Sequence, residues 1–522
     1  MPTTLSIPCL LLLALPLATT GADFDVVLRH GRVVDGTGNP ARFADVGIKD
    51  GKIAALGRIE PATGREIDAT GLVIAPGFID VHTHAENIDR LPRAENFLRM
   101  GVTTIILGNC GGSESDLGEF FRLLEDSGIS PNVASLVGHN TIRRQVMGGS
   151  FLRPPTETEL DEMRTRVRLA MEDGALGLST GLIYLPGVFA KIDEIVALAE
   201  VAARHGGIYV SHMRDEGRKI DDALDELITI ARSAGIRAHV SHLKLAGRPS
   251  WGRAEEVLSR IDAARDAGVD ITQDQYTYTA SSTGISQLIP ESAREGGRDA
   301  FRARIADPDQ RDAIVSAMQA KLKERDERDY SYAMIAHYSH DPGLNGLNLR
   351  EAAARRNGSD TLDNQIDLIL EIESRGGASG IFHGMNEDDL KTFLRHPNSM
   401  VAADSSVRDF EQGRPHPRGY GNNARVLSRY VRELGVLRLE DAIRRMTSLP
   451  ATTFCLKERG ILREGAWADL VVFDPREVRD HATFESPHHY ATGFRLVMVN
   501  GVEVVQHDHH SGARPGSVLR KQ

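Results

Sequence analysis

The sequence predicts an α/β protein with a (β/α)8 barrel of the TIM type. A small β-sandwich built from both chain ends flanks it, and an insertion, read as a lid, separates barrel strands seven and eight. Three observations lead there. Strand-like apolar runs alternate with helical patterns, hairpin texture appears at both ends of the chain, and one interval between runs is far longer than the rest.

The barrel strands are centred near Ile79, Thr104, Ser135, Leu176, Tyr209, Val240 and Ile271, roughly 30 residues apart, which is the span of one strand with its returning helix. Ile220 to Ala234 is a representative helix, with Ile220, Leu224, Leu227, Ile228 and Ala231 on one face. An eighth strand at Met400 to Asp404 follows only after the long interval. That interval is rich in charge and glycine and carries a predicted helix at Asp309 to Arg325. A bare loop of such length would be unusual, so the stretch reads as an inserted unit.

Short apolar runs separated by Gly-bearing turns fill Asp23 to about Ala69 and return at Asp469 to Gln506, around the turn Asn500-Gly501. The resulting boundaries are 23–70 and 455–522 for the two parts of the sandwich, the latter including the tail, and 71–454 for the barrel with its insertion at about 283–349. Residues 1–22 read as a cleaved export signal. Ile7 to Leu17 is apolar but too short to span a bilayer, and small residues follow it, which predicts a periplasmic or secreted protein.

A net charge of -11 argues against nucleic acid and anionic membrane surfaces as partners. A small soluble ligand is the expected partner; oligomeric state is not legible. With the export signal removed, Cys110 and Cys455 remain, too few for a disulfide framework, and both read as free thiols. The tail His507 to Gly512 is His-rich but outside the barrel pattern, and reads as a solvated end.

The chemistry concentrates where barrel strands should end. His82 and His84, two apart, share one strand face and can offer two imidazoles to one metal ion. Alone the pair could equally be surface histidines. Cys110 follows strand two, and His212 and His242, 30 residues apart, follow strands five and six. A lone Cys is usually a small buried apolar residue, but a strand end flanked by glycines favours a ligand. His239, three before His242, falls on the opposite strand face and reads as structural. Asp404 ends strand eight, and in a site holding zinc it reads as the proton shuttle. Thiolate and neutral imidazole suit zinc.

The strings FIDVHTH, GNCG, SHMRDE, SHLK, GLIYLPG, YTYTASS and HPRGYG give the chain a resemblance to the amidohydrolase superfamily, and within it to the N-acyl-D-amino-acid deacylases. The resemblance spans nearly the whole mature chain. It implies a zinc-dependent hydrolase acting on linear amides (EC 3.5.1 class). The implied substrates are N-acyl-D-amino acids, or dipeptides with a C-terminal D-residue. It implies a tight zinc site at Cys110, His212 and His242, and a weaker one at His82 and His84 sharing Cys110. Asp404 matches the catalytic acid/base; Lys244, Tyr276, Ser282 and Arg418 match a substrate-carboxylate pocket, and Tyr184 a further substrate contact. Thr277 stands where many relatives have proline.

The stretch Thr283 to Ser292 supplies Ile285, Leu288 and Ile289 without Lys or Arg, so neutral apolar substrate side chains are expected to be preferred. The alternatives are a cyclic-amide hydrolase of the dihydropyrimidinase or hydantoinase kind, and a non-catalytic binding protein on the same fold. The former usually bridges two metals with a carboxylated lysine after strand four, and GLSTGLIY has none. The latter typically loses metal ligands, whereas all are present here.

Overall fold

A computed structural model describes residues 23–60 and 62–521; the expected export signal lies outside the described residues. The barrel strands are Phe78–Asp80, Val102–Leu107, Asn132–Ser135 running on into Val137–Gly138, Gly177–Gly181, Ile208–His212, Arg237–Val240, Ile271–Gln275 and Ser399–Val401. Neighbours pair in parallel, strand seven directly with strand eight. Strands eight and one meet through backbone bonds from Asp404 N to His82 O and from His84 N to Ser405 O, each 2.9 Å. The eight strands therefore form a closed barrel.

Alternation along each strand sorts side chains into two cores. On strand five, Ile208 and Val210 join Ile79, Ile106, Leu176 and Met400 in the barrel interior, while Tyr209 faces the helices. His212 continues the Ile208 and Val210 face, which brings it to the top of the interior. The helices form for the expected reasons. Ile220–Ala234 buries Ile220, Leu224 and Leu227, has Asp221 and Asp222 in its first turn, and ends at Gly235 with φ 60°. Each fully buried leucine contributes about 1.5–3 kcal/mol.

The two chain ends form one continuous nine-stranded sheet rather than two separate stacked sheets. Val73–Pro76 causes the difference, since it pairs with Asp23–Val33 on one side and Leu470–Phe473 on the other. The sheet closes over its own core of Leu28, Val46, Ile53, Ile74, Leu470 and Leu496. Its opposite face, with Val471, Phe473 and Val497, packs on the barrel. The tail His507 to Gly512 lies at the surface, with His507 and His509 exposed, but it is folded rather than free. His509–His510 pairs with Val505–Gln506, and the chain beyond runs along the N-terminal end of the barrel, where Val518 bridges Val133.

The insertion extends past Leu349 to His383. Ser379–His383 is the middle strand of a three-stranded antiparallel sheet, between Ala280–Gly284 and Ala333–His337, so the helix Leu362–Ser374 leading to it belongs to the same unit. The unit has its own core, including Ile285, Ile289, Phe301, Met318, Tyr330 and Ile369. The predicted helix within it runs Pro308–Glu324, capped by Asp307. No helix among the described residues is long and apolar enough to cross a membrane.

Asp469 joins sheet to barrel. Its carboxylate accepts from Asn132 Nδ2 at 3.0 Å, from the Asn500 backbone at 2.7 Å, and from buried Arg459. Asp469→Ala leaves that guanidinium buried without its counter-ion, so we expect a loss of about 3–5 kcal/mol in urea unfolding. A loss below about 1 kcal/mol would show that the junction contributes little.

Candidate active site

Three site residues lie just beyond a strand end and have left-handed backbone: Cys110 (φ 52°), His242 (φ 34°) and Asp404 (φ 48°). Non-glycine residues in this region are strained, and such strain collects at functional sites. The turn explains a discrepancy with strand parity. His239 is not on the outer surface of strand six but inside the barrel, bonded to Thr272 Oγ1 at 2.8 Å and Asp274 at 2.9 Å. His242, past the strand end, reaches the same interior because its backbone reverses. Close packing of the Cys110 turn also needs glycine, since a Cβ on Gly181 would lie 2.1 Å from the Cys110 carbonyl oxygen.

Cys110 Sγ faces three imidazole nitrogens: His82 Nε2 at 3.3 Å, His212 Nδ1 at 3.5 Å and His242 Nε2 at 3.7 Å. Asp404 Oδ1 lies 3.3 Å from His84 Nε2 and 3.6 Å from His82 Nε2, while Oδ2 accepts from Arg418 at 2.9 Å. Among the described residues, three donor groups could hold a cation: His82, Cys110 and His242; His82, His84 and Asp404; and His212, Glu216 and His242.

The donor chemistry fits a metal ion. Burial pushes the Cys110 thiol well above its ordinary range, and Asp404 and Glu216 add to the rise, so a thiolate there requires a cation beside it. Burial also holds the imidazoles of His212 and His242 below the ordinary range, leaving them neutral with lone pairs to donate. Burial would raise the Asp404 carboxyl too, but Arg418, His82 and His84 outweigh it and keep Asp404 ionised. A buried thiol facing three imidazoles, with a carboxylate alongside, is a zinc-type donor set.

Three acids escaped the sequence reading. Asp80 accepts from the backbone of His82 at 3.1 Å and of Ala403 at 2.8 Å, holding strand one to strand eight. Asp274 accepts from the His242 backbone at 2.9 Å and lies 3.2 Å from His82 Nδ1. Glu216 lies 2.9 Å from His242 Nδ1 and pairs with Lys244. Its position four residues after His212 was the available signal, because that spacing allows a return contact.

Two of the remaining predicted residues, Arg418 and Lys244, meet at the Tyr276 ring. Arg418 lies over it at 4.5 Å and Lys244 at 5.8 Å, and Arg418 also approaches the Ser282 carbonyl at 3.5 Å. Arg418 Nε and Nη1 are buried without partners, donors still available to an anion. Tyr184 packs its ring on His212 and accepts from Thr283 Oγ1 at 3.2 Å.

A cavity of about 750 Å³ is bounded by His212, His242, Lys244, Ser282, Tyr184 and Asp404 below and by the insertion above. The expected cation-free apolar wall is only partly there. Leu288 lines the cavity, but Ile285 and Ile289 turn into the insertion core, and Lys321 and Arg325 enter the wall. Glu291 pairs with Lys321 at 2.7 Å. Arg325 lies over the Tyr332 ring at 4.9 Å and has no carboxylate partner among the described residues.

The amidohydrolase family model matches residues 65–505. The chain is 35% identical to a D-aminoacylase of Alcaligenes xylosoxydans xylosoxydans, over 95% of this chain and 98% of that protein. It is 36% identical to an N-acyl-D-glutamate deacylase of the same organism, over 95% and 96%. A crystal structure of N-acyl-D-glutamate deacylase from Bordetella bronchiseptica, complexed with zinc and a phosphonate inhibitor, superposes with a TM-score of 0.82 at 34% identity, covering 95% of this chain and all of that one.

Because Cys110 faces His82, His212 and His242, which between them enter all three candidate groups, Cys110→Ala should be purified with less than about a tenth of the parent's bound metal, a loss expected when the thiolate goes. Elemental analysis showing equal metal in both proteins would remove Cys110 from the ligand set.

Proposed function

The chain belongs to the amidohydrolase family, and we propose that it hydrolyses N-acyl-D-amino acids with zinc, releasing a carboxylate and the free D-amino acid. The observation that carries this reading is Asp404, set between the His82/His84 pair and Arg418 at the floor of the cavity. In this reading Cys110, His212 and His242 would hold the tighter ion, and His82 with His84, together with Cys110, would hold a weaker one. Zinc supplies Lewis acidity when bound, making water acidic enough to attack near neutral pH and polarising a carbonyl.

The protein residues do the rest. Asp404, held ionised, takes the proton of the attacking water and delivers it to the departing amide nitrogen. Lys244 and the free donors of Arg418 hold the substrate's α-carboxylate, with the Tyr276 ring against both cations and Ser282 beside Arg418. Tyr184 closes the cavity over His212. Preference for the D isomer is supported by the substrates that name the relatives. Neutral side chains fit the wall of Leu288, Leu322, Tyr332 and Phe382, and Arg325 adds a counter-charge for an acidic one.

Asp404→Asn should retain zinc while losing kcat on N-acetyl-D-leucine by on the order of 100- to 10,000-fold. Undiminished kcat would remove Asp404 from proton transfer, and loss of zinc would make it chiefly a ligand. Arg325→Ala should lower kcat/KM for N-acetyl-D-glutamate about tenfold or more and leave N-acetyl-D-leucine within about twofold. Equal effects on the two substrates would contradict a side-chain role for Arg325.

The N-terminal apolar run supports export to the periplasm or medium. Mass spectrometry of protein from the native host is then expected to find a mature chain starting near Asp23, and an intact Met1 would contradict it.

A further inference from the structure

Resting on the zinc-dependent reading above, we propose that Glu216 is a positioning residue that couples the tighter metal position to the carboxylate-binding Lys244. The nitrogens turned toward Cys110 are His212 Nδ1 and His242 Nε2. Both opposite nitrogens face Glu216, one for each carboxylate oxygen: His242 Nδ1 is 2.9 Å from Oε1 and His212 Nε2 is 3.7 Å from Oε2. His212 Nε2 is buried and has no hydrogen-bond partner. An imidazole donates a lone pair from one nitrogen when the other carries the proton, and a carboxylate behind it fixes that tautomer. Glu216 stands directly behind His242 in this way, and its other oxygen is the group facing the unpartnered His212 Nε2.

The same oxygen, Oε1, also accepts from Lys244, whose Nζ lies 2.8 Å from His242 Nδ1. His242 Nδ1 is therefore contested. It can accept from Lys244 only when unprotonated, and it can donate to Glu216 only when protonated. A His242 that donated its Nε2 lone pair to an ion would carry its proton on Nδ1, so lysine and imidazole would then meet donor to donor. Lys244 keeps Glu216 and turns its remaining N–H groups to another acceptor, the substrate carboxylate. Metal occupancy and carboxylate binding thus favour one another, and the coupling is reciprocal. Glu216 is also one of the three donors in a candidate metal group, but the Lys244 ammonium already lies against two of them.

The test is zinc affinity, measured by competition with a chromophoric chelator, with and without D-leucine as the carboxylate probe. In the parent protein D-leucine should tighten zinc binding. Glu216→Gln should weaken zinc about 10- to 100-fold and abolish the D-leucine effect. Lys244→Met should still bind zinc but lose the D-leucine effect. Glu216→Asp, which keeps the charge at shorter reach, should show a smaller zinc loss and serves if the Gln variant does not fold. A parent that binds zinc, with a Glu216→Gln variant matching it in affinity and in D-leucine response, overturns the proposal alone. A parent that binds no zinc overturns the zinc-dependent reading and the proposal with it.

Discussion

A buried thiol facing three imidazoles is the constraint on which the rest of the site depends. Cys110 and the nitrogens around it stand 3.3 to 3.7 Å apart in a setting that opposes a lone thiolate. Without a cation, burial favours a neutral thiol at Cys110 and neutral imidazoles at His212 and His242. With one, the same atoms become a preformed ligand shell. The surrounding carboxylates complete the balance: Asp274 lies behind His82, Glu216 behind His212 and His242, and Asp404 stands in front with Arg418.

The barrel delivers these groups to one point through its strand ends. Parallel strands place their C-terminal ends on one rim, and closure between strands eight and one sets Asp404 against His82 and His84. Left-handed turns at Cys110, His242 and Asp404 then redirect side chains that the pleat would send elsewhere. Opposite this rim, the tail and Asp469 bind the sheet to the barrel. The insertion roofs the cavity with residues of its own sheet and helices, so a mostly local unit can set side-chain selection without disturbing the ligands below.

Much of this was legible in the sequence because periodicity and position carry it. The roughly 30-residue strand spacing marked the barrel, and strand-end histidines marked the candidate ligands that the fold brings together. What escaped did so for identifiable reasons. Strand parity put His239 and His242 on opposite faces, but the reversal at His242 brings both inward. Asp80, Asp274 and Glu216 act through contacts that only the folded barrel creates, and Asp274 is 192 residues from its partner His82. Ile285 and Ile289 looked like pocket residues until the insertion proved to have its own core. Arg325 enters the cavity from the end of a helix whose docking the local pattern does not encode. The strand Ser379–His383 pairs across the insertion, and non-local pairing hid its true extent.

The central claim is that one ion is held by the Cys110 thiolate together with imidazoles. Zinc K-edge X-ray absorption of protein loaded with one equivalent tests it most directly. The expected spectrum has a single sulfur scatterer at about 2.3 Å and imidazole nitrogens at about 2.0–2.1 Å. A first shell of nitrogen and oxygen without sulfur would contradict the account.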